Sequence, residues 1–501
     1  MTSLVHRAAP HSATAAARQR VLGLLRTEIR LLRRFGVFAA AGIVTALWVA
    51  ILLVVPAETR RVIVPLVLLI DVTALGFLFV PALLVLERME RVEPAMRLTP
   101  VRTVERAGVR VGLTTALSLA AGLVITVAAG TPGIPVALTG VATASVLAGL
   151  IAFVAVGTSA TLTTFLLSAP LFAGPLLAPA LVAATGLVDT PLLRMSPMTS
   201  ALDMMQGQMS WTALAWQVAW VLAAALLVGR TARRPSAAAA TASARSATWP
   251  VHPGRYSPVG VVRSFLRADR RGVIRDGVLI MLAGSVPLVA VAGRVASTAG
   301  VSWVRQRHGV DLGAYLPIVW VVLLVAHTPI MLGTLTGLLM LEDRDAGVLP
   351  AIATTRASVG ALLRYRLTAT AVLTAAALAI GFVVAGVDHP AGIVGSAAVI
   401  VAAAALSPVP AMLMAAFARN RVQGIAVMKI IGLPLYLPVA SWFVDVPARW
   451  LFAPLPSSWT IWSMWAVTPA SALAFATGAI VVCSVATVAL SHRFVRGASR
   501  T

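Results

Sequence analysis

The chain has 501 residues, of which 59% are apolar and only 11% are charged, and its mean hydropathy is +0.92. Soluble domains carry about 25% charged residues on average, so this composition excludes a water-soluble globular protein of this size. The formal net charge of +23 would suit a nucleic-acid-binding protein. However, the arginines stand at the ends of long apolar runs, where the positive-inside rule of membrane proteins explains them better. Continuous apolar runs of about 20 residues predict bilayer-spanning helices and exclude a β-barrel.

The first half of the chain begins with a predicted cytoplasmic tail and amphipathic helix at 1–35. From Arg18 to Arg34 the apolar residues share one face, which is typical of a helix that lies in the membrane interface. The alternative, a plain extension of the first span, stays open. The region 36–229 is predicted to contain the first six spans, at 36–55, 62–86, 109–129, 134–157, 160–188 and 211–229.

The second half follows a segment, 230–256, whose alanine, serine, threonine and arginine content predicts a flexible cytoplasmic linker. A second amphipathic helix is predicted at 257–276, a second set of spans at 277–492, and a cytoplasmic tail at 493–501. These spans are predicted at 277–293, 313–341, 367–386, 391–418, 423–444 and 467–491. Arginine placement puts both termini, the linker and two loops in the cytoplasm. The expected fold is therefore an all-α polytopic membrane protein with about 12 transmembrane helices.

The two halves show internal similarity. The segment 188–191 (Val-Asp-Thr-Pro) recurs as 444–447 (Val-Asp-Val-Pro), and Gly130 recurs as Gly386, both with an offset of 256 residues. We interpret these matches as an internal repeat of six spans. Because six is an even number, the two repeats enter the membrane in the same direction. Two parallel repeats related by a pseudo-two-fold axis along the membrane normal are typical of transporters.

Two cytoplasmic loops, which we call elbows, lie at 86–110 and 341–366. Each leaves an apolar span, carries two acids three residues apart, and ends where the next span begins. The first acids, Glu87 and Glu342, are aligned by an offset of 255, which requires a one-residue gap in the repeat. The other marked positions of the elbows are Glu90, Pro100, Asp345, Gly347 and Thr355.

An amphipathic helix, two spans and a Glu-x-x-acid-x-Gly stretch that reaches Thr-Pro and a basic residue resemble the permease subunits of ABC exporters of the type-2 class. The resemblance covers nearly the whole chain. Each half departs from the family pattern at one position. In the first half Val92 occupies the position of the glycine, which is Gly347 in the second half. In the second half Thr355 occupies the position that Pro100 has in the first half. The resemblance implies a re-entrant outer segment between the fifth and sixth spans of each half, at 189–209 and 445–465.

The resemblance also implies that two separate ATP-binding-cassette ATPase subunits dock on the elbows and hold ATP and magnesium. Their contacts would be Glu87, Glu90, Pro100, Glu342, Asp345, Gly347 and Thr355. The sequence agrees that this chain binds no such cofactor, because a P-loop needs Gly-Lys-Ser/Thr and the only lysine, Lys429, is followed by Ile430. We therefore expect a transport subunit rather than an enzyme. The alternative is that the elbows are solvated loops whose charges only enforce topology.

Six residues are candidates for a substrate path. Asp71 and His327 lie mid-span in the two halves, where a charge is costly and needs a cavity or a partner; a buried residue bonded to a neighbour is the alternative interpretation. Methionines and tryptophans punctuate the outer segments and could line an outer gate for lipophilic cargo. They can equally be apolar packing, and no metal site is expected. The outer-segment candidates are Met198, Met205, Trp459 and Trp462.

The leading hypothesis is a permease subunit in a bacterial plasma membrane that exports a small lipophilic or amphipathic compound, such as an antibiotic, a drug or a lipid. Its partners would be two ATPase subunits and the lipid bilayer, and no nucleic acid. The alternative is an ion-coupled efflux transporter of the major-facilitator kind, because 343–347 (Asp-Arg-Asp-Ala-Gly) is similar to a loop of that family. The closing arginine pair of that loop is missing.

Overall fold

A computed structural model describes residues 10–54, 56–89, 99, 101–157, 162–186, 190–231, 277–308, 311, 313–348, 352 and 358–498. The regular secondary structure of these residues is helical, as predicted from the continuous apolar runs. The chain divides into two compact units, Met1–Ala247 and Thr248–Thr501.

The first unit begins with the amphipathic helix, which turns by 62° into the first span. The turn is possible because Gly36 adopts a positive φ of 73°, which a glycine accommodates without steric cost. A π-helical turn, Leu68–Val72, joins α3 and α4 into the second span. The helices are α1 (Pro10–Arg34), α2 (Val37–Val54), α3 (Ala57–Val67), α4 (Ala74–Met89), α5 (Thr103–Ala129), α6 (Ile134–Val156), α7 (Leu162–Ala184), α8 (Pro191–Arg194), α9 (Pro197–Met205) and α10 (Trp211–Thr231).

The described part of the second unit begins at Gly277 and has π-helical turns at Ala296–Gly300 and Val321–Ala326. Short 3₁₀ turns lie at Gly313–Tyr315, Leu437–Phe443 and Trp450–Phe452. The helices are α11 (Gly277–Val295), α12 (Val301–His308), α13 (Leu316–Trp320), α14 (His327–Asp345), α15 (Val359–Ala385), α16 (Gly392–Leu406), α17 (Pro408–Phe417), α18 (Arg421–Tyr436), α19 (Val446–Arg449), α20 (Pro456–Met464) and α21 (Pro469–Ala498).

One predicted boundary is wrong. The seventh span was expected to end at 293, before Arg294, but helical structure continues through α12 to His308. The Arg294 side chain is accommodated along the helix because its Nη1 donates to the Val384 carbonyl near the end of α15 (3.5 Å). A long arginine side chain can direct its charge away from apolar surface in this way, so the residue does not mark a helix end.

The repeat predicted from the sequence is a repeat of structure. Helices α5 and α15 each have 27 residues and begin 256 residues apart. Each ends at a glycine in the left-handed conformation, Gly130 with φ 66° and Gly386 with φ 64°. In both outer segments a four-residue helix is followed by a nine-residue helix, α9 and α20, that begins with proline.

Ten helices of the described residues are long and apolar enough to cross a membrane, and the bent pair formed by α1 and α2 raises that number to eleven. The remaining predicted span coincides with α7, whose part Leu171–Ala184 is a shorter apolar helix. The chain is therefore an all-α polytopic membrane protein, as the composition predicted.

Small residues allow the helices of each unit to approach closely, as is common in membrane proteins. In the first unit α6 packs against α4, α5 and α9. A Cβ added at Gly140 of α6 would lie 2.7 Å from the Ala201 carbonyl oxygen of α9. In the second unit α14 packs against α17, with Gly337 at the contact. The absence of a side chain at Gly140 therefore lets α6 lie close to α9, and its absence at Gly337 lets α14 lie close to α17.

We expect Gly337→Val to lower the free energy of unfolding by about 1–3 kcal/mol, because overpacking a tight contact forces side chains and backbone to shift. A Cβ at Gly337 would lie 2.9 Å from Met414 Cβ and 3.1 Å from the Ala411 carbonyl oxygen. The matched control is Gly112→Val in α5, where a Cβ would meet no heavy atom within 4 Å. Thermal unfolding of both variants in one detergent checks this, and equal losses would contradict it.

Candidate functional site

A buried arginine joins three helices of the first unit at the base of the first elbow. Arg110 of α5 is 1% exposed. Its Nη2 donates to Glu87 Oε1 at the end of α4 (2.6 Å), and its Nε donates to Glu28 Oε1 of α1 (3.1 Å). Two carboxylates thus share one guanidinium, and their attraction offsets the cost of burying its charge. The cluster ties the amphipathic helix to the elbow.

Further charges surround this cluster. Arg106 Nη1 lies 3.6 Å from Glu87 Oε2, and Arg20 Nη2 lies 3.3 Å from Glu105 Oε1. Glu105 also accepts a hydrogen bond from the Arg102 backbone N–H (3.0 Å) at the start of α5. A carboxylate in this position satisfies one of the free N–H groups of a helix N-terminus. The first turn of α5 is therefore held both by its own cap and by α1.

The second unit repeats the central ion pair in a less buried form. Arg366 Nη2 of α15 lies 2.7 Å from Asp343 Oδ2 of α14, and the two side chains are 16% and 19% exposed. Among the described residues, Arg366 pairs with this one carboxylate. Within the described ranges, the second cluster therefore has one acid where the first has two.

A second arginine fixes each elbow to the fourth span of its unit. Arg88 Nη1 donates to the Val156 carbonyl at the end of α6 (3.0 Å), and Arg344 Nη1 donates to the Ala418 carbonyl just beyond α17 (3.0 Å). The last carbonyls of a helix lack partners within the helix and favour a positive charge. We call Glu87, Arg88 and Arg110 the first elbow clamp, and Asp343, Arg344 and Arg366 the second elbow clamp.

The clamps correct the alignment of the two elbows. From the sequence, Glu87 corresponds to Glu342. In the structure, Glu87 precedes its partner Arg110 by 23 residues, and Asp343 precedes its partner Arg366 by 23 residues. Glu87 therefore corresponds to Asp343, with the same offset of 256 residues as Gly130 and Gly386, and the elbows need no gap of one residue.

Glu342 and Asp345 have a different partner. Arg421, at the start of α18, lies 3.4 Å from Glu342 Oε1 through Nη2 and 3.7 Å from Asp345 Oδ2 through Nε. Its backbone N–H also faces Asp345 Oδ2 at 3.4 Å. These acids therefore join the second elbow to the fifth span, in addition to the clamp.

The predicted ATPase contacts are distributed as follows. Glu87, Glu342 and Asp345 bind arginines of their own unit, so each carboxylate has an internal role. Gly347 is exposed and lies two residues past the end of α14. Its φ of 70° is typical of a glycine at this position after a helix. A direct contact of any of these residues with a partner stays a prediction. Glu90, Pro100 and Thr355 lie outside the described residues.

The mid-span candidates lie at π-helical turns in both units. Asp71 lies within the turn Leu68–Val72, and its Oδ2 accepts a hydrogen bond from Trp48 Nε1 (3.1 Å). His327 directly follows the turn Val321–Ala326, and its Nδ1 lies 2.8 Å from the Tyr436 hydroxyl. Each residue thus has a polar partner within its own unit. π-Helical turns are frequent at functional sites, and the role of both residues in a substrate path stays a prediction.

The side chains of the outer-segment candidates are buried or partly buried within their units. Met198 is 3%, Met205 0% and Trp462 1% exposed. Trp459 is partly buried, and its Nε1 donates to the Ala453 carbonyl (2.9 Å). Trp462 Nε1 donates to Ser441 Oγ (3.0 Å). Their contribution to an outer gate stays a prediction.

The sequence interpretation missed Glu28, Arg110 and Arg421 as site residues. Arginines at span ends satisfy the positive-inside rule, which hid their pairing. The repeated spacing of acid and arginine was the available signal, since it is 23 residues in both halves. Among the described residues, no group of three or more histidine, cysteine or acidic side chains could hold a metal ion.

Comparison with known proteins separates the chain into the same two halves. Residues 19–234 match the family model of the fluoroquinolones export permease protein family, and residues 269–491 match that of fluoroquinolones export permease proteins like Rv2686c. The fluoroquinolones export permease protein Rv2686c of Mycobacterium tuberculosis H37Rv is 29% identical over 204 residues, which are 40% of this chain and 81% of that protein. Rv2687c of the same strain, which has the same description, is 29% identical over 207 residues, 40% of this chain and 87% of that protein.

The fold is that of a polytopic membrane protein built from two similar halves with charged elbows. Both halves match models of export permease families, which supports an ABC-type permease subunit with two permease-like halves in one polypeptide.

Proposed function

We propose that this chain is the membrane-spanning subunit of an ATP-driven drug exporter in a bacterial plasma membrane, with its termini and both elbows in the cytoplasm. Two separate ATPase subunits, which bind ATP and magnesium, dock on the elbows. The cargo is an amphipathic compound of the antibiotic or drug class. The export of fluoroquinolones named for the relatives supports this class, and so does a chain of which 59% is apolar.

The observation that carries the proposal is the duplication of the elbow clamp. A loop that only enforced topology would need charge but no fixed partners. Instead, each elbow is bound by ion pairs and carbonyl hydrogen bonds to the third and fourth spans of its unit. A push on the elbow from a closing ATPase dimer therefore reaches these spans instead of bending the loop.

The proposal predicts that an ATPase with a P-loop copurifies with the chain. Replacing the catalytic glutamate of that ATPase by glutamine is expected to abolish export into inverted membrane vesicles, because hydrolysis supplies the driving force. A proton ionophore at constant ATP is the control and should leave export intact. Export that continues without the ATPase and stops with the ionophore would contradict the proposal in favour of an ion-coupled transporter.

A further inference from the structure

The outer segment of the second unit holds an arginine among aromatic rings. Arg449 is the last residue of α19. Its guanidinium carbon lies 4.9 Å from the ring centroid of Trp462, 5.8 Å from that of Trp465 and 5.8 Å from that of Phe475. Cations within about 6 Å of an aromatic face are attracted to it. The three rings thus attract the charge and help to hold the guanidinium in place.

Among the residues that the structure describes, the donors at the edge of this guanidinium have no acceptor. Nε and Nη2 of Arg449 are buried and form no hydrogen bond with any of them, and the same holds for Trp465 Nε1. Nε and Nη2 form the side of the guanidinium that binds a carboxylate through two parallel N–H groups. Buried donors are nearly always paired in proteins. Three unpaired donors, two of them on one bidentate edge, therefore mark a position where an acceptor from outside the chain, a water molecule or a ligand group, can bind.

The corresponding arginine of the first unit is different. Arg194 is also the last residue of a four-residue helix, and the nine-residue helix that follows it has Asp203 in seventh position. Arg194 and Asp203 interact electrostatically. In α20 the seventh position is Trp462. The second unit thus has a ring in place of the acid, and no described carboxylate forms an ion pair with Arg449.

We propose that Arg449 and the rings around it bind the carboxylate of an aromatic acid. The carboxylate accepts from Arg449 Nε and Nη2, with Trp465 Nε1 as a third donor, and its aromatic body stacks on the neighbouring indoles. Trp450, whose ring centroid lies 5.3 Å from that of Trp462, is 52% exposed and is the ring that a ligand meets first. This inference deepens the proposed function, on which its role in export rests, by naming the residues that hold the acid group of a cargo.

Binding can be measured without ATP or an ATPase, so its failure is distinct from a failure of the export proposal. The full chain in phosphatidylcholine nanodiscs is titrated with 2-naphthoate and with its neutral isostere 2-naphthamide by equilibrium dialysis. We expect saturable binding of 2-naphthoate that is at least about tenfold tighter than that of 2-naphthamide, as for hydrogen bonds to a charged group. Equal binding of the two compounds would overturn the proposal.

Variants test which residues are responsible. Arg449→Gln is expected to weaken 2-naphthoate binding at least about tenfold, to the level of the amide. Arg449→Lys keeps the charge but loses the bidentate edge, and should fall between the two. Arg194→Gln, at the corresponding position of the first unit, is the matched control and should bind as the unaltered protein does. Unchanged binding by a folded Arg449→Gln variant, or an equal loss in the control, would overturn the assignment.

The headgroup of an anionic lipid could use the same donors, and nanodiscs with and without phosphatidylglycerol distinguish the two sources. The proposal predicts that saturable 2-naphthoate binding persists when phosphatidylglycerol replaces part of the phosphatidylcholine. Complete loss of binding in phosphatidylglycerol, with no such loss caused by added sodium phosphate, would assign the site to a lipid headgroup and overturn the proposal.

Discussion

Replacing Arg110 by alanine is expected to lower the free energy of unfolding by about 3–5 kcal/mol, the range measured when one partner of a buried ion pair is removed. The variant leaves the carboxylates of Glu28 and Glu87 facing each other without their shared cation. Glu28 is only 3% exposed, so water cannot replace the lost partner. Thermal unfolding in detergent measures the loss.

The matched control is Arg366→Ala in the second elbow clamp. It removes the corresponding cation, but the arginine is 16% exposed and binds one described acid. We expect a loss nearer to that of a partly exposed pair, about 1 kcal/mol. Equal losses at the two positions would show that burial and the second acid do not set the energy of the first cluster.

A variant without any of the three charges tests whether the loss of stability in Arg110→Ala is electrostatic. Glu28→Leu, Glu87→Leu and Arg110→Met together remove the acids along with the cation, and replacement of a whole buried ion cluster by apolar residues is often neutral or stabilising. We therefore expect the triple variant to recover most of the stability lost in Arg110→Ala. Continued instability of the triple variant would contradict a purely electrostatic origin of that loss.

The architecture could be predicted from the sequence because it follows from apolar length and from repetition. A helix needs about 20 apolar residues to span a bilayer. The offset between Gly130 and Gly386 gives the length of the repeat directly. The continuation of α11 into α12 could not be predicted in this way. The helix continues past Arg294, whose side chain reaches a carbonyl of α15 that is distant in sequence.

The site was harder to predict, because acids near a span end say nothing of their partners. Glu87 and Glu342 share a local pattern, and only the pairing with Arg110 and Arg366 reveals that Asp343 is the residue equivalent to Glu87. Arg449 was not predicted at all. Its significance depends on rings from α20 and α21 that surround it and on donors left without acceptors, and neither can be derived from residue order.

The elbow clamps also lead to a prediction about the coupling of ATP hydrolysis to export. In the double variant Arg88→Ala, Arg344→Ala, each elbow loses its hydrogen bond to the end of the fourth span. A hydrogen bond from a charged group contributes about 1.5–3 kcal/mol, so each elbow can move without moving that helix. On the proposed function, we expect export per ATP hydrolysed to fall at least about tenfold, while the ATPase continues to hydrolyse ATP.

Proteoliposomes that contain the chain and its copurified ATPase allow both rates to be measured together. Arg364→Ala is the matched control, because this exposed arginine lies on α15 two residues before Arg366 and outside both clamps. It should leave the ratio of export to hydrolysis unchanged. A double variant with normal coupling would show that force does not pass through the fourth span. A parallel fall of export and hydrolysis would instead show that the clamps serve ATPase docking, because a detached subunit neither hydrolyses at the coupled rate nor moves the elbow.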